Sequence, residues 1–116
     1  MKRGFDLFLN DIIFAITNIE LYTKKLNADK FNESKITIDA CIRNLEIIGE
    51  AVSQLPDELK KKHTEVSWQE IKDFRNVIVH KYYVVDVEIL WDIITTKLTP
   101  LKEKIKSIIE CEKIKS

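Results

Sequence analysis

The residue types best suited to chemistry stand together in one stretch, Arg75-Asn76-Val77-Ile78-Val79-His80-Lys81-Tyr82-Tyr83. A guanidinium such as that of Arg75 holds a phosphodiester through two parallel hydrogen bonds and stabilises charge as it builds on the oxygens. An imidazole such as that of His80, with an ordinary pKa of about 6.5, takes a proton from a hydroxyl or returns one to a leaving oxygen. Together these parts suffice for metal-independent cleavage of RNA, with the ribose 2′-hydroxyl as the nucleophile. DNA lacks that hydroxyl and would be refused. One histidine supplies only one proton-transfer partner. Two copies of the stretch facing each other would supply two histidines and two arginines around one groove, and a two-fold homodimer is the commonest such arrangement.

The element that must carry these residues is a helix. Ser67-Trp68-Gln69-Glu70 reads as its start, with Ser67 as cap and Glu70 completing a capping box. The spacing predicts one helix from there to near His80. On a wheel advancing about 100° per residue, Ile71, Phe74, Val77 and Ile78 gather on a core face. Lys72, Arg75, Asn76 and His80 fall on the other side within an arc of about 140°. Lys81 would land on the apolar face, which ends the helix and leaves Tyr82 and Tyr83 on the turn beyond. Val79 sits on the polar arc, where a partner surface would account for it. The plainer reading leaves Arg75 and His80 solvated, with the tyrosines closing the helix end.

Arg75, four residues, His80, one residue and Tyr82 give an R-x(4)-H-x-Y pattern that resembles the signature of the HepT ribonuclease toxins of the HEPN superfamily. Asn76, after the arginine, is a common choice there. The segment Ile42-Arg43-Asn44-Leu45-Glu46-Ile47-Ile48-Gly49-Glu50-Ala51 is similar to the second-helix segment of HepT-like proteins. Leu55-Pro56-Asp57-Glu58-Leu59 and Val66-Ser67-Trp68 follow in the family's order. The resemblance covers nearly the whole chain. It implies a ribonuclease toxin, dimeric with a composite site, in which Arg75 and His80 are catalytic. Asn76 is a supporting residue, and Tyr83, which has no assigned role in the motif, is read only as a support. It also implies an antitoxin partner, a nucleotidyltransferase of the MntA type, that silences the toxin by adding AMP to Tyr82. An adenylate there would bring negative charge and bulk to where RNA phosphates must sit. A tyrosine ring packed over the helix end is the structural alternative for Tyr82, and the two are compatible.

Length and composition set the bounds. At 116 residues the chain is one domain spanning 1–116. Lysine plus arginine equals aspartate plus glutamate at 19 each, which argues against a generic basic nucleic-acid binder but not against local phosphate contacts. Positive charge is clustered at Lys60, Lys61 and Lys62, then at Lys72, Arg75 and Lys81. Cys41 and Cys111 lie far apart without metal-ligand spacing and read as buried free thiols. No metal and no cofactor are expected. No apolar run reaches membrane-spanning length and no signal peptide is visible, so the expected location is the cytoplasm, with no membrane partner.

The remaining pattern is all-α: an antiparallel bundle of four to five HEPN-like helices with a long, kinked last helix. A first helix over about 5–24 carries a core stripe of Phe5, Phe8, Leu9, Ile12, Ile13, Ile16 and Ile19. Leu7, Phe14 and Leu21 form a second stripe nearly opposite, to be covered by the domain itself or by another chain. Residues 27–33 read as a polar connector, and Asn32 or Ser34 as cap of a second helix running to about Leu55. Gly49 inside it costs about 1 kcal/mol relative to alanine, which suits a close helix approach. Asp39, Arg43, Glu46 and Glu50 line one face, where Arg43 either pairs with carboxylates a turn away or stands near the active arc.

Pro56 opens a short helix closed by the lysines, with His63 as an exposed loop histidine. Asp86 caps the last helix. Its stripe of Val87, Leu90, Trp91, Ile94, Leu98, Leu101, Ile105 and Ile108 stays in phase across Pro100, which should kink the helix without ending it. Ile89 and Ile93 fall off that stripe and are further candidates for contact between chains. Two other functional classes fit the residues less completely. One is a non-catalytic partner that holds a nucleotide or docks on a nucleotidyltransferase, which the neutral charge favours. The other is a purely structural dimer that leaves Arg75 and His80 apart.

Overall fold

The computed structural model describes residues 3–74, 78–79 and 84–115, with side chains over 5–74 and 86–113. It is all-α apart from one two-residue ladder. Helix α1 (Arg3–Thr23) buries Leu9, Ile12, Ile16 and Ile19 of the expected stripe, with Ala15 besides, while Phe5, Phe8 and Ile13 are half-buried. On its opposite face Leu7, Phe14 and Leu21 are 66%, 67% and 64% exposed, so the domain does not cover them itself. The helices Lys35–Gln54 and Leu98–Lys115 pack on the inner face of α1, and no described helix covers the outer one.

The expected polar connector is instead a short helix, α2 (Ala28–Glu33). The Asn27 side chain caps it by accepting from Lys30 N at 2.8 Å. What holds so short a helix is Phe31, fully buried at its centre. Ser34 then caps α3 (Lys35–Gln54), accepting from Thr37 N. Helix α3 lies antiparallel to α1. Asn18 donates to Asn44 near one end of the pair, while Phe8 shares a groove with Ile47 and Ala51 towards the other. Asn44 is buried yet satisfied, since its own amide donates to Ala40 O. A Cβ at Gly49 would meet nothing within 4 Å, so the close approach expected there does not occur.

Helix α4 (Asp57–Lys62) begins after Pro56 and ends in its three lysines. Helix α5 (Trp68–Asp73) follows and packs on α3. Strands β1 (Ile78–Val79) and β2 (Val84–Val85) pair antiparallel, Ile78 opposite Val85 and Val79 opposite Val84. Asp86 then caps α6 (Val87–Asp92), its carboxylate accepting from Ile89 N at 3.1 Å.

The last helical run crosses Pro100 without ending. A regular turn there would set the proline ring against the carbonyl four residues back and would lack one N–H. The chain widens instead. Ile93–Lys97 is a π-helical segment closed by Leu98 N–H on Ile93 O, and α7 (Leu98–Lys115) continues from it. The Thr95 and Thr96 hydroxyls donate to the carbonyls of Trp91 and Asp92 at 2.9 and 2.7 Å, so acceptors loosened by the wide turn stay paired. Leu90, Ile94, Leu98, Leu101, Ile105 and Ile108 are buried, the stripe in phase on both sides. Ile93, expected off the stripe, is buried as well, because a wider turn advances less per residue and draws it to the core edge. Ile89 remains 51% exposed.

Candidate active site

The chain enters the candidate segment from α5. Trp68 anchors that helix by donating its indole N–H to the carbonyls of Lys60 and His63 at 3.1 and 3.0 Å. Ile71 and Phe74 are buried and fix its inner face. The Ser67 side chain makes no cap hydrogen bond; its carbonyl accepts from Ile71 N. Glu70, expected to complete a capping box, is paired instead with Lys97, 3.7 Å away.

The helix predicted to reach His80 stops at Asp73, with Phe74 as its C-cap, and Ile78–Val79 is extended. The physical reason is the β-branched run Val77-Ile78-Val79 together with Val84-Val85. Such side chains lose rotamer freedom in a helix and pack well on a pleated pair. The helical wheel therefore does not reach Ile78 and Val79, and Val79 has no place on a helical polar arc. Arg75, Asn76, His80, Lys81, Tyr82 and Tyr83 lie outside the described residues. Their brackets are described: Phe74 is buried before the ladder, Ile78–Val79 pairs with Val84–Val85, and after it Asp86 caps α6, in which Leu90 is fully buried.

Beside Phe74 runs a groove of about 200 Å³ between α5 and the start of α7. Ile71, Phe74 and Leu101 form part of its apolar lining, and Lys97 and Lys104 bring ammonium groups to its lining. A second groove, of about 390 Å³, lies on the α1–α3 face, where Phe8 and Ile47 sit among Asp11, Arg43, Glu46 and Glu50. Arg43 forms no ion pair among the described residues, so the expected pairing along that helix face does not occur.

His63 is the residue that sequence reasoning misplaced. It is 6% exposed rather than a loop histidine at the surface. Its Nε2 stands 2.8 Å from Glu112 Oε2 and its Nδ1 3.5 Å from Glu65 Oε2. Lys62 Nζ meets the same Glu112 oxygen at 2.9 Å. The His63 hydrogen bond, followed by that of Lys62, holds the Glu112 carboxyl below its ordinary range. The partner carboxylate comes from the last turns of α7, distant in sequence, and no local signal announces it. Cys41 is buried as expected, which pushes its thiol up to about 12, whereas Cys111 is only half-buried. No described helix is long and apolar enough to cross a membrane.

Comparison with known proteins adds to this geometry. Residues 12–108 match the family model described as Ribonuclease HepT-like. Over 108 residues the chain is 38% identical to "Probable ribonuclease HepT" of Thermococcus cleftensis, covering 93% of this chain and 98% of that protein. Over 110 residues it is 38% identical to "Gamma-glutamylcyclotransferase and putative RNase MJ0434" of Methanocaldococcus jannaschii, covering 95% of this chain. The match spans only 50% of that second, longer protein. No solved structure matches the chain. The chain belongs to the ribonuclease HepT-like family.

Proposed function

We propose that this chain is a metal-independent endoribonuclease, the toxin of a toxin–antitoxin pair, which cuts RNA by attack of the ribose 2′-hydroxyl on the adjacent phosphorus. Arg75 grips the scissile phosphate and stabilises its developing charge. His80 moves the proton, taking it from the 2′-hydroxyl or giving it to the leaving 5′-oxygen. Asn76 and Tyr83 support the pair. A homodimer brings a second copy of the segment to the same link, so that one imidazole serves as base and the other as acid. The observation that carries this reading is the order Arg75, His80, Tyr82 in a chain of the HepT-like ribonuclease family.

Two described features are consistent with it. The exposed stripe Leu7, Phe14, Leu21 is an apolar face of the kind another chain covers. Lys104, lining the groove beside Phe74, adds positive charge where the chain leads into the motif, while Lys97 of the same groove is paired with Glu70. An antitoxin nucleotidyltransferase of the MntA type silences the enzyme by adenylylating Tyr82, which sets negative charge against the incoming phosphates. The setting is the cytoplasm.

Purified wild-type and His80→Ala chains, compared on RNA and on expression in cells, test the proposal. Loss of a general acid–base group lowers cleavage by about 10²–10⁴-fold, and the toxicity should vanish with it. Wild-type and His80→Ala chains equally inert on RNA and equally harmless would overturn the proposal and leave a non-catalytic partner protein.

A further inference from the structure

The cluster around buried His63 combines nitrogen, sulfur and oxygen donors from two elements distant in sequence, with Cys111 and Glu112 half-buried beside it. A ring nitrogen of His63, the Cys111 sulfur and a Glu112 carboxylate oxygen all lie within 4.8 Å of one another. Tetrahedral zinc, with bonds of about 2.0–2.3 Å, holds neighbouring ligand atoms about 3.5 Å apart, a difference that small side-chain rotations close. We propose that His63 Nε2, Cys111 and Glu112 form a zinc site, with water in the fourth position, that pins the end of α7 to the corner between α4 and α5.

The geometry gives each donor its role. His63 Nε2 faces the Glu112 carboxylate at 2.8 Å, and Nδ1 faces Glu65 at 3.5 Å. For the ion to bind, the proton that Nε2 donates to Glu112 must leave, moving to Nδ1 or to solvent. Nδ1–H then donates to Glu65, which closes from its 3.5 Å contact to serve as the outer carboxylate of a carboxylate–histidine–metal arrangement. Cys111 binds as thiolate, and its proton passes to solvent. Glu112 exchanges its present hydrogen-bond donors, His63 and Lys62, for the metal. The Lys62 ammonium stands on a side chain that is 39% exposed, so it can turn to water as the ion enters. The site is distinct from the Arg75–Tyr83 segment and independent of the ribonuclease reading.

Cobalt(II) in place of zinc reports thiolate ligation directly, through a sulfur-to-cobalt charge-transfer band. Titration of the full chain should give one cobalt per chain with that band, displaced by one zinc. Cys111→Ser should abolish the band, while Cys41→Ser should keep it, since that thiol is buried in the core. Glu65→Gln should weaken zinc binding by about tenfold, as loss of an outer carboxylate does. Because substitution at buried His63 risks the fold, the half-buried Cys111 carries the test. Absence of stoichiometric binding, or a band unchanged in Cys111→Ser, would overturn the site. None of these readouts depends on RNA cleavage, so failure here and failure of the nuclease reading are told apart.

Discussion

The ring of Phe31 lies 4.8 Å from the ring of Trp91, tilted by 34°, and joins the short α2 to α6. Phe31 is the one buried residue of this six-residue helix, so α2 depends chiefly on that ring. Phe31→Ala should destabilise the chain by about 3–5 kcal/mol through lost burial and a residual cavity. Denaturant unfolding followed by circular dichroism measures this. A change within about 0.5 kcal/mol, the range of ordinary surface substitutions, would show α2 to be dispensable.

Trp68 offers a subtler case, since its ring and its N–H make separable contributions. Trp68→Phe keeps much of the apolar packing but removes the donor shared by the carbonyls of Lys60 and His63. The expected cost is about 1–2 kcal/mol. Amide exchange should show the loosening concentrated in α4 and α5, and equal loss across α1 and α3 would contradict the local account.

Glu20 links α1 to α7 by accepting from Lys102 and, at 2.6 Å, from the Thr99 hydroxyl. Burial alone would raise its carboxyl, but the Lys102 and Thr99 hydrogen bonds outweigh that and hold it below the ordinary 4.5. A carboxyl lowered in the folded state stabilises fully above its unfolded pKa. That contribution is lost as pH falls through the lower, folded value. The melting-temperature advantage of wild type over Glu20→Gln should therefore be constant near neutrality and shrink below about pH 4.5. An advantage that persists undiminished in acid would refute the linkage.

The α1 stripe predicts a separation of assembly from stability. Phe14, at 67% exposed, contributes little to the core of one chain. Phe14→Ser should change monomer unfolding by no more than about 0.5 kcal/mol. If this face meets a second copy, the same substitution should weaken the dimer by about tenfold or more, read by sedimentation equilibrium. An unaltered dimer would move the interface elsewhere.

Much of the fold is legible in periodicity. Most positions of the stripes read for α1 and the last run are buried, because a 3.6-residue repeat and a single core leave little choice. Phe31 escaped because one aromatic among polar residues has no period. His63 escaped because its partner Glu112 is brought to it only by the packed fold. The helix through residues 75–80 failed for another reason. Ile71, Phe74, Val77 and Ile78 fit a helical wheel, yet the β-branched pairs Ile78-Val79, within the motif, and Val84-Val85, just after it, favour the ladder. The motif was legible as chemistry, through its residue types and order, and not as geometry.

The central claim is that Arg75 and His80 direct a ribose hydroxyl against its own phosphodiester. The most direct measurement compares an RNA oligonucleotide with the same oligonucleotide carrying a single 2′-deoxy nucleotide at the preferred cleavage position, with end-group analysis of the products. The account predicts a 2′,3′-cyclic phosphate and a 5′-hydroxyl from the RNA, and no cut at the deoxy position. Cleavage at the deoxy position, or products ending in 5′-phosphate, would contradict it.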